Sequence, residues 1–266
     1  MNLNERAMLD MLKAGRDDFG VVAVKAEFEA EGTRPDELLR LIELACRADL
    51  GVALKIGGCE AVSDLHACRL YGADYVIAPM VETPYALTKF VDARRKVYEE
   101  PTTARFLFNL ETQTTLDNLA DMLPLAREAL DGIVFGRVDF TLSRGLARGA
   151  INHRQVTDAV LLAAHSCAEH DLELVVGGSV AVEARAALQE IRRVRLDRFE
   201  TRKVIFDGAA VDARGFHEGI ANAVAFELAW LENKREYYQR IGAEDASRIR
   251  MMRERAANGA MARVAA

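Results

Sequence analysis

Gly132-Ile133-Val134-Phe135-Gly136-Arg137-Val138-Asp139-Phe140 is an apolar run that ends in charge. Its Ile, Val and Phe suit a strand buried on both faces, which is the habit of parallel sheets covered by helices. The same form stands upstream in Leu107-Phe108-Asn109-Leu110-Glu111-Thr112. In both, a carboxylate sits at the carboxyl end of the run next to a loop. That is where an α/β protein can hold a divalent cation at the mouth of its sheet. Working outward, strand-like runs recur at 20–29, 51–57, 74–80, 104–111, 132–140, 172–178 and 199–206, each separated by a segment of helical period. This alternation argues for parallel strands with crossover helices. Thr83-Pro84 supplies a helix start, Thr33-Arg34-Pro35-Asp36 another, and Gly72 a helix stop.

The fold expected is therefore a (β/α)8 TIM-type barrel over residues 1–207, followed by a C-terminal helical extension over 208–266. Seven strands are clear and one is atypical, displaced in this reading by the N-terminal helix around Met8 to Lys13. The alternative is a doubly wound open sheet. A dinucleotide-binding sheet should show GxGxxG after its first strand and a P-loop sheet GxxxxGK[ST], and the chain has neither. Gly177-Gly178-Ser179 reads as a plain turn. In the extension, Phe216, Ile220, Val224, Leu228, Trp230, Leu231, Tyr237 and Tyr238 form an apolar stripe for packing on the barrel or across a subunit contact. Beyond Arg248 the chain reads as a solvated, frayed helix.

The 266 residues, half of them hydrophobic, match the ~250 usual for one such barrel. With 35 Lys and Arg against 41 Asp and Glu, and no basic block, nucleic acid is an unsuitable partner. Cys46, Cys59, Cys68 and Cys167 form no CxxC pair, which suits reduced thiols. The start, Met1-Asn2-Leu3-Asn4-Glu5-Arg6, lacks a signal-peptide pattern, and no run approaches the ~20 apolar residues of a membrane span. The chain is expected to be soluble and cytoplasmic, with no membrane partner.

Strands of a parallel barrel should be nearly all apolar, and these are not. Lys25, Glu27 and Glu29 share parity in the first run. Lys55 ends the second, Asn109 and Glu111 the fourth, Arg137 and Asp139 the fifth, and Glu200, Arg202 and Lys203 the last. An unpaired charge taken out of water costs several kcal/mol, so these groups must pair with one another, bind metal or sit at the rim. Glu111 and Asp139 are the metal-ligand candidates. Lys55 is the candidate to face substrate, because Gly57-Gly58 beyond it lets a ligand approach the backbone. Glu27 and Glu29 are catalytic candidates or counter-charges for Lys25 and Lys55. The five histidines lack ligand spacing, which sets aside zinc chemistry and a Ser-His-Asp triad.

Lys55-Ile56-Gly57-Gly58, the segment from Tyr75 to Ala86, Asn109-Leu110-Glu111-Thr112 and Phe135-Gly136-Arg137-Val138-Asp139-Phe140 together resemble the strand motifs of the HpcH/HpaI aldolase and citrate lyase β-subunit family, over residues 20–206. The resemblance implies a pyruvate- or phosphoenolpyruvate-type barrel. In it Glu111 and Asp139 hold Mg²⁺ or Mn²⁺, Asn109 sits beside the metal, and backbone N–H groups around Gly136, Arg137 and Val138 receive a substrate carboxylate. It also implies a homo-oligomer formed through C-terminal helices. Two positions depart from the family pattern. Lys55 stands where those aldolases carry Arg, and Phe28, between Glu27 and Glu29, stands where they carry His. One of these glutamates, or a metal-bound water, would then have to move the proton. The function expected is a divalent-metal-dependent carbon–carbon lyase on a 2-oxo acid or related carboxylate. The alternatives are a Schiff-base aldolase using Lys55 and a non-catalytic barrel that binds a small acid or a protein. The loop 140–153, with Arg144, Arg148 and Asn152, is basic enough to meet a second anionic group, and a solvated surface loop explains it equally.

Overall fold

Alternating strand and helix segments close on themselves here because each strand buries both faces, one toward the barrel axis and one toward a helix. The structure is a computed structural model that describes residues 1–99 and 101–264, so the last two residues of the expected extension lie outside the described residues. Helix α1 (Leu3–Phe19) opens with a capping box between Asn2 and Glu5 and stops at Gly20, whose φ of 74° suits a residue without Cβ. There follow β1 (Val21–Glu27), α2 (Pro35–Arg47), β2 (Gly51–Lys55), α3 (Val62–Tyr71), β3 (Tyr75–Ala78), α4 (Pro84–Val97) and β4 (Arg105–Leu110). Next come α5 (Gln113–Asp117), α6 (Leu119–Ala129), β5 (Gly132–Gly136), α7 (Arg137–Ser143), a 3-10 turn (Arg148–Asn152), α8 (Arg154–Glu169) and β6 (Glu173–Gly177). The chain ends with α9 (Arg185–Arg192), β7 (Arg198–Glu200), β8 (Val204–Asp207) and α10 (Phe216–Val264). The eight strands form a closed barrel in sequence order. Thr83 caps α4 ahead of Pro84, and Gly72 ends α3 in the left-handed conformation, both as the sequence implies.

Two expected elements differ. The run 199–206 is not one strand: Arg198–Glu200 and Val204–Asp207 form a hairpin, and β8 is antiparallel to both β7 and β1. Only three residues join them, whereas a parallel return needs a crossover of about a dozen or more. Thr201 fastens the turn, donating its N–H to the Val204 carbonyl at 2.9 Å. The atypical eighth strand is therefore this antiparallel return. Helix α1 displaces nothing; it precedes β1 and packs against α10, where Asn222 donates to the Met11 carbonyl at 2.9 Å. The run 132–140 is likewise strand only to Gly136. The β5 ladder pairs Gly136 with Gly177, the last residue of β6, and with no partner beyond that point the chain turns into α7.

The barrel interior is layered. Ala23, Ala53, Ile77, Leu107, Val134, Val175 and Ile205 fill its waist. At the amino ends of the strands, Glu173 takes ion pairs from Arg105 and Arg198, and the Arg198 guanidinium lies 4.5 Å over the Tyr75 ring. At the carboxyl ends, the same inward parity carries Lys25, Lys55 and Asn109. A larger apolar shell lies between sheet and helices. Helix α10 buries Phe216, Ile220, Ala223, Phe226 and Trp230 at helical spacing, and turns Val224, Leu228 and Leu231 outward. The apolar stripe expected from sequence is thus two faces. From Ile241 to Met252 every residue of α10 is exposed. No helix among the described residues is long and apolar enough to cross a membrane.

Candidate active site

Charge at the carboxyl rim begins with Lys25, which is buried and bridges two carboxylates. Its Nζ contacts Glu200 Oε1 and lies 3.2 Å from Glu27 Oε1. Burial alone would lower the pKa of the Lys25 ammonium, yet Glu200 and Glu27 hold it above the ordinary lysine value. Burial likewise works to raise the Glu27 carboxyl, and the charges of Lys25 and then Lys55 outweigh it, so Glu27 is held below the usual range. Gly177 has no Cβ because one there would sit 2.7 Å from Glu200 Oε1. Glu200 Oε2 is buried without a hydrogen-bond partner among the described residues.

One residue past β4, Glu111 is buried and held by three donors. Met80 N–H reaches Oε1 at 2.9 Å, Asn109 Nδ2 reaches Oε2 at 2.6 Å, and Lys55 Nζ lies 3.3 Å from Oε2. Met80 adopts φ 51°, left-handed for a residue with a side chain, and that turn aims its N–H at the carboxylate. The loop bearing Met80 is clipped to the one after Glu111: Thr112 Oγ1 donates to Glu82 Oε1 at 2.6 Å and Asn118 Nδ2 to the Glu82 carbonyl at 2.8 Å. Gly136 lies alongside, where a Cβ would come within 3.0 Å of Glu111 Cβ. Directly after Gly136, the first turn of α7 carries Asp139. Its carboxyl is pushed above the usual aspartate range, first by loss of solvent around it and then by the charge of Glu111, while Lys55 pulls it down. Asp139 thus reaches the rim from a helix turn, and the sequence had placed it at the end of a strand.

The structure gathers Lys55, Asn109, Glu111, Gly136, Asp139 and Glu27 at one mouth. Glu29 is not among them. The strand ends at Glu27, and Glu29 is exposed in the bend beyond it, with its Cγ 2.7 Å from where a Gly57 Cβ would be. The neighbour that needs Gly57 is thus Glu29, together with Asp64, which accepts the Gly57 N–H at 2.7 Å. Arg137 also turns away. Its buried guanidinium donates to the Gly177 carbonyl at 3.2 Å, the Gly178 carbonyl at 3.0 Å and Asn152 Oδ1 at 3.0 Å. Burial lowers its pKa to about 10. The backbone N–H groups of Arg137 and Val138 face Gly178, where a Cβ would stand 2.8 and 2.6 Å from the two nitrogens. The Gly177-Gly178-Ser179 turn therefore packs directly on the start of α7, a placement that a Gly-Gly-Ser tripeptide does not announce. The Glu31 carboxylate, paired with Lys203 and with Arg202 at 3.1 Å, ties the loop after β1 to the β7–β8 hairpin.

No group of three or more His, Cys, Asp or Glu among the described residues is placed to hold a metal. A hard cation such as Mg²⁺ needs fewer: it takes one or two carboxylates and completes its shell with water or substrate oxygens. Glu111 and Asp139 fit that donor set, and Asn109 Oδ1, buried without a partner, is a further oxygen at the same place.

The family model described as HpcH/HpaI aldolase/citrate lyase matches residues 57–195, more than half of the chain. The chain belongs to the HpcH/HpaI aldolase/citrate lyase family. Solved structures agree in fold. An HpcH/HpaI aldolase/citrate lyase family protein from Burkholderia cenocepacia has a TM-score of 0.60 at 13% identity, over 91% of this chain and 92% of that one. An HpcH/HpaI aldolase from Desulfitobacterium hafniense has a TM-score of 0.59 at 13% identity, over 77% and 84%. A variant of the citrate synthase SbnG has a TM-score of 0.56 at 18% identity, over 85% and 90%. No curated protein matches. Membership of the HpcH/HpaI family indicates a lyase. The matched segment contains Asn109, Glu111 and Gly136 to Asp139 and begins after Lys55, so the positions that depart from the family pattern, at Lys55 and around Phe28, lie outside it.

Proposed function

We propose that this HpcH/HpaI family chain is a divalent-metal-dependent carbon–carbon lyase acting on a 2-oxo acid or related carboxylate through a pyruvate-type enolate. One observation carries the reading. Two carboxylates stand at the barrel mouth, Glu111 fixed by three donors and Asp139 in the first turn of α7, near enough for the charge of Glu111 to raise its carboxyl. They would hold Mg²⁺ or Mn²⁺, which when bound supplies a Lewis acid for the 2-oxo acid carbonyl.

The chain's own groups supply the rest. Lys55, engaged as a cation beside Glu111, adds positive charge where an enolate oxygen would develop. Backbone N–H groups of Arg137 and Val138, cleared by the missing Cβ of Gly178, suit a substrate carboxylate. Glu27, kept ionised by Lys25 and Lys55, is the base that takes the hydroxyl proton as the carbon–carbon bond breaks, leaving the electron pair on the 2-oxo acid fragment. For assembly, the outward stripe of Val224, Leu228 and Leu231 on α10 supports a homo-oligomer.

The test is Mn²⁺ titration by calorimetry together with exchange of pyruvate methyl protons into heavy water. The wild type binds the cation and exchanges only in its presence, and Glu111→Gln and Asp139→Asn lose both. Cation binding unchanged in the two variants, or a wild type with no exchange, overturns the assignment.

A further inference from the structure

Residues 140–157 contain three arginines, Arg144, Arg148 and Arg154, and no acidic residue. Arg154 is spent on Asp158 and Glu190 across helix surfaces. Arg144 stacks 5.8 Å from the Phe140 ring. Arg148 is different. It forms no ion pair among the described residues, and its Nη2 donates to Ser179 Oγ at 3.1 Å. That single neutral bond leaves most of its five N–H donors open.

Both halves of this pair are built in place. Ser179 follows Gly178 in a turn with two successive left-handed residues, φ 84° and 50°, a conformation that a serine adopts only when its surroundings hold it. Arg148 opens the 3-10 turn that ends at Asn152. The buried Arg137 guanidinium binds the Gly178 carbonyl and Asn152 Oδ1 together, so one side chain locks the turn under Ser179 to the turn that carries Arg148. Gly178 in turn abuts the start of α7, two residues before Asp139. Through Ser179 and Gly178, the Arg148 guanidinium is consequently placed on the side of the barrel where α7 begins.

We propose that Arg148 and Ser179 form a binding site for a second anionic group, a carboxylate or phosphate, on the substrate or on the fragment cleaved from it, so that this chain selects dianions over monoanions. The location at the mouth rests on the lyase reading; the binding itself does not. The probes are succinate, 3-phosphonopropionate and butyrate, of equal chain length, titrated calorimetrically into the full chain with Mg²⁺ present. The wild type is expected to bind at least one dianion about tenfold more tightly than butyrate, the worth of one charge-assisted contact at a partly solvated site. Which dianion binds better tells a carboxylate site from a phosphate site. Arg148→Gln abolishes the preference, Ser179→Ala reduces it, and Arg144→Gln, which removes the same charge from the same loop, preserves it. Equal binding of all three acids by the wild type overturns the proposal, as does a preference that survives Arg148→Gln or falls equally with Arg144→Gln. Pyruvate exchange reports on the lyase reading separately, so a chain that discriminates dianions without exchanging keeps this site and loses that chemistry.

Discussion

Lys25 balances the charge of the barrel's upper end, because it contacts both Glu27 and Glu200 from inside the barrel. Removing it takes the contacting counter-ion from the buried Glu200 and leaves the half-buried Glu27 to the charge of Lys55. Lys25→Met should therefore cost about 3–5 kcal/mol in urea unfolding at neutral pH. The pH dependence follows the sign of each shift. Glu27 is depressed in the fold, so its contribution is complete above the unfolded value and is lost as pH falls through the folded one. Asp139 is raised, so its ionisation costs stability that builds up as pH rises from the unfolded value through the folded one. Asp139→Asn, without added metal, should then be slightly more stable than the wild type at neutral pH, by roughly a few tenths of a kcal/mol for so exposed a group. A thermal melt in chelator should show the gain disappearing in acid, below the ordinary aspartate range. The sequence showed that Lys25 needs a partner and offered Glu27 and Glu29. It could not show Glu200, which arrives from the far side of the closed barrel, nor that Glu29 leaves the strand at a bend.

The β7–β8 hairpin is the element that closes the barrel, and just past it a glycine packs against the chain that enters β7. A Cβ at Gly208 would sit 2.0 Å from the Leu196 carbonyl oxygen, a backbone atom that cannot swing aside. Gly208→Ala should destabilise by about 1–3 kcal/mol or more through forced backbone shifts. Gly58→Ala, at a position with nothing within 4 Å, should stay within about 0.5 kcal/mol of wild type in the same urea series. Helix α7 is the other element that pattern reading mistook. Val138 and Phe140 continue the apolar run of β5, so hydrophobicity alone extends the strand. The ladder instead ends where β6 ends, and the turn at Gly136 puts Asp139 in the first turn of α7 at the barrel mouth.

Across the whole molecule, α10 runs far past the barrel: its last 24 residues, from Ile241, extend roughly 36 Å. Its outward stripe leads us to expect a homo-oligomer that Leu228→Glu with Leu231→Glu dissociates without unfolding, since both side chains are about half exposed. Light scattering on a sizing column decides; a wild type that is monomeric at micromolar concentration, or a double variant that stays assembled, removes the case for this face. The sequence by itself determined the repeating strand–helix architecture, the helix start at Thr83-Pro84 and the helix stop at Gly72, because period and capping are local properties, and its misplaced charges pointed to Glu111 and Asp139 as candidates. Only the tertiary structure decided that the last run folds back as an antiparallel pair, that Gly178 packs on the backbone of Arg137 and Val138, and that the Arg137 guanidinium binds the Gly177 and Gly178 carbonyls. Those outcomes depend on which backbone ends beside which, and strand closure sets that distance between residues that sequence order keeps far apart.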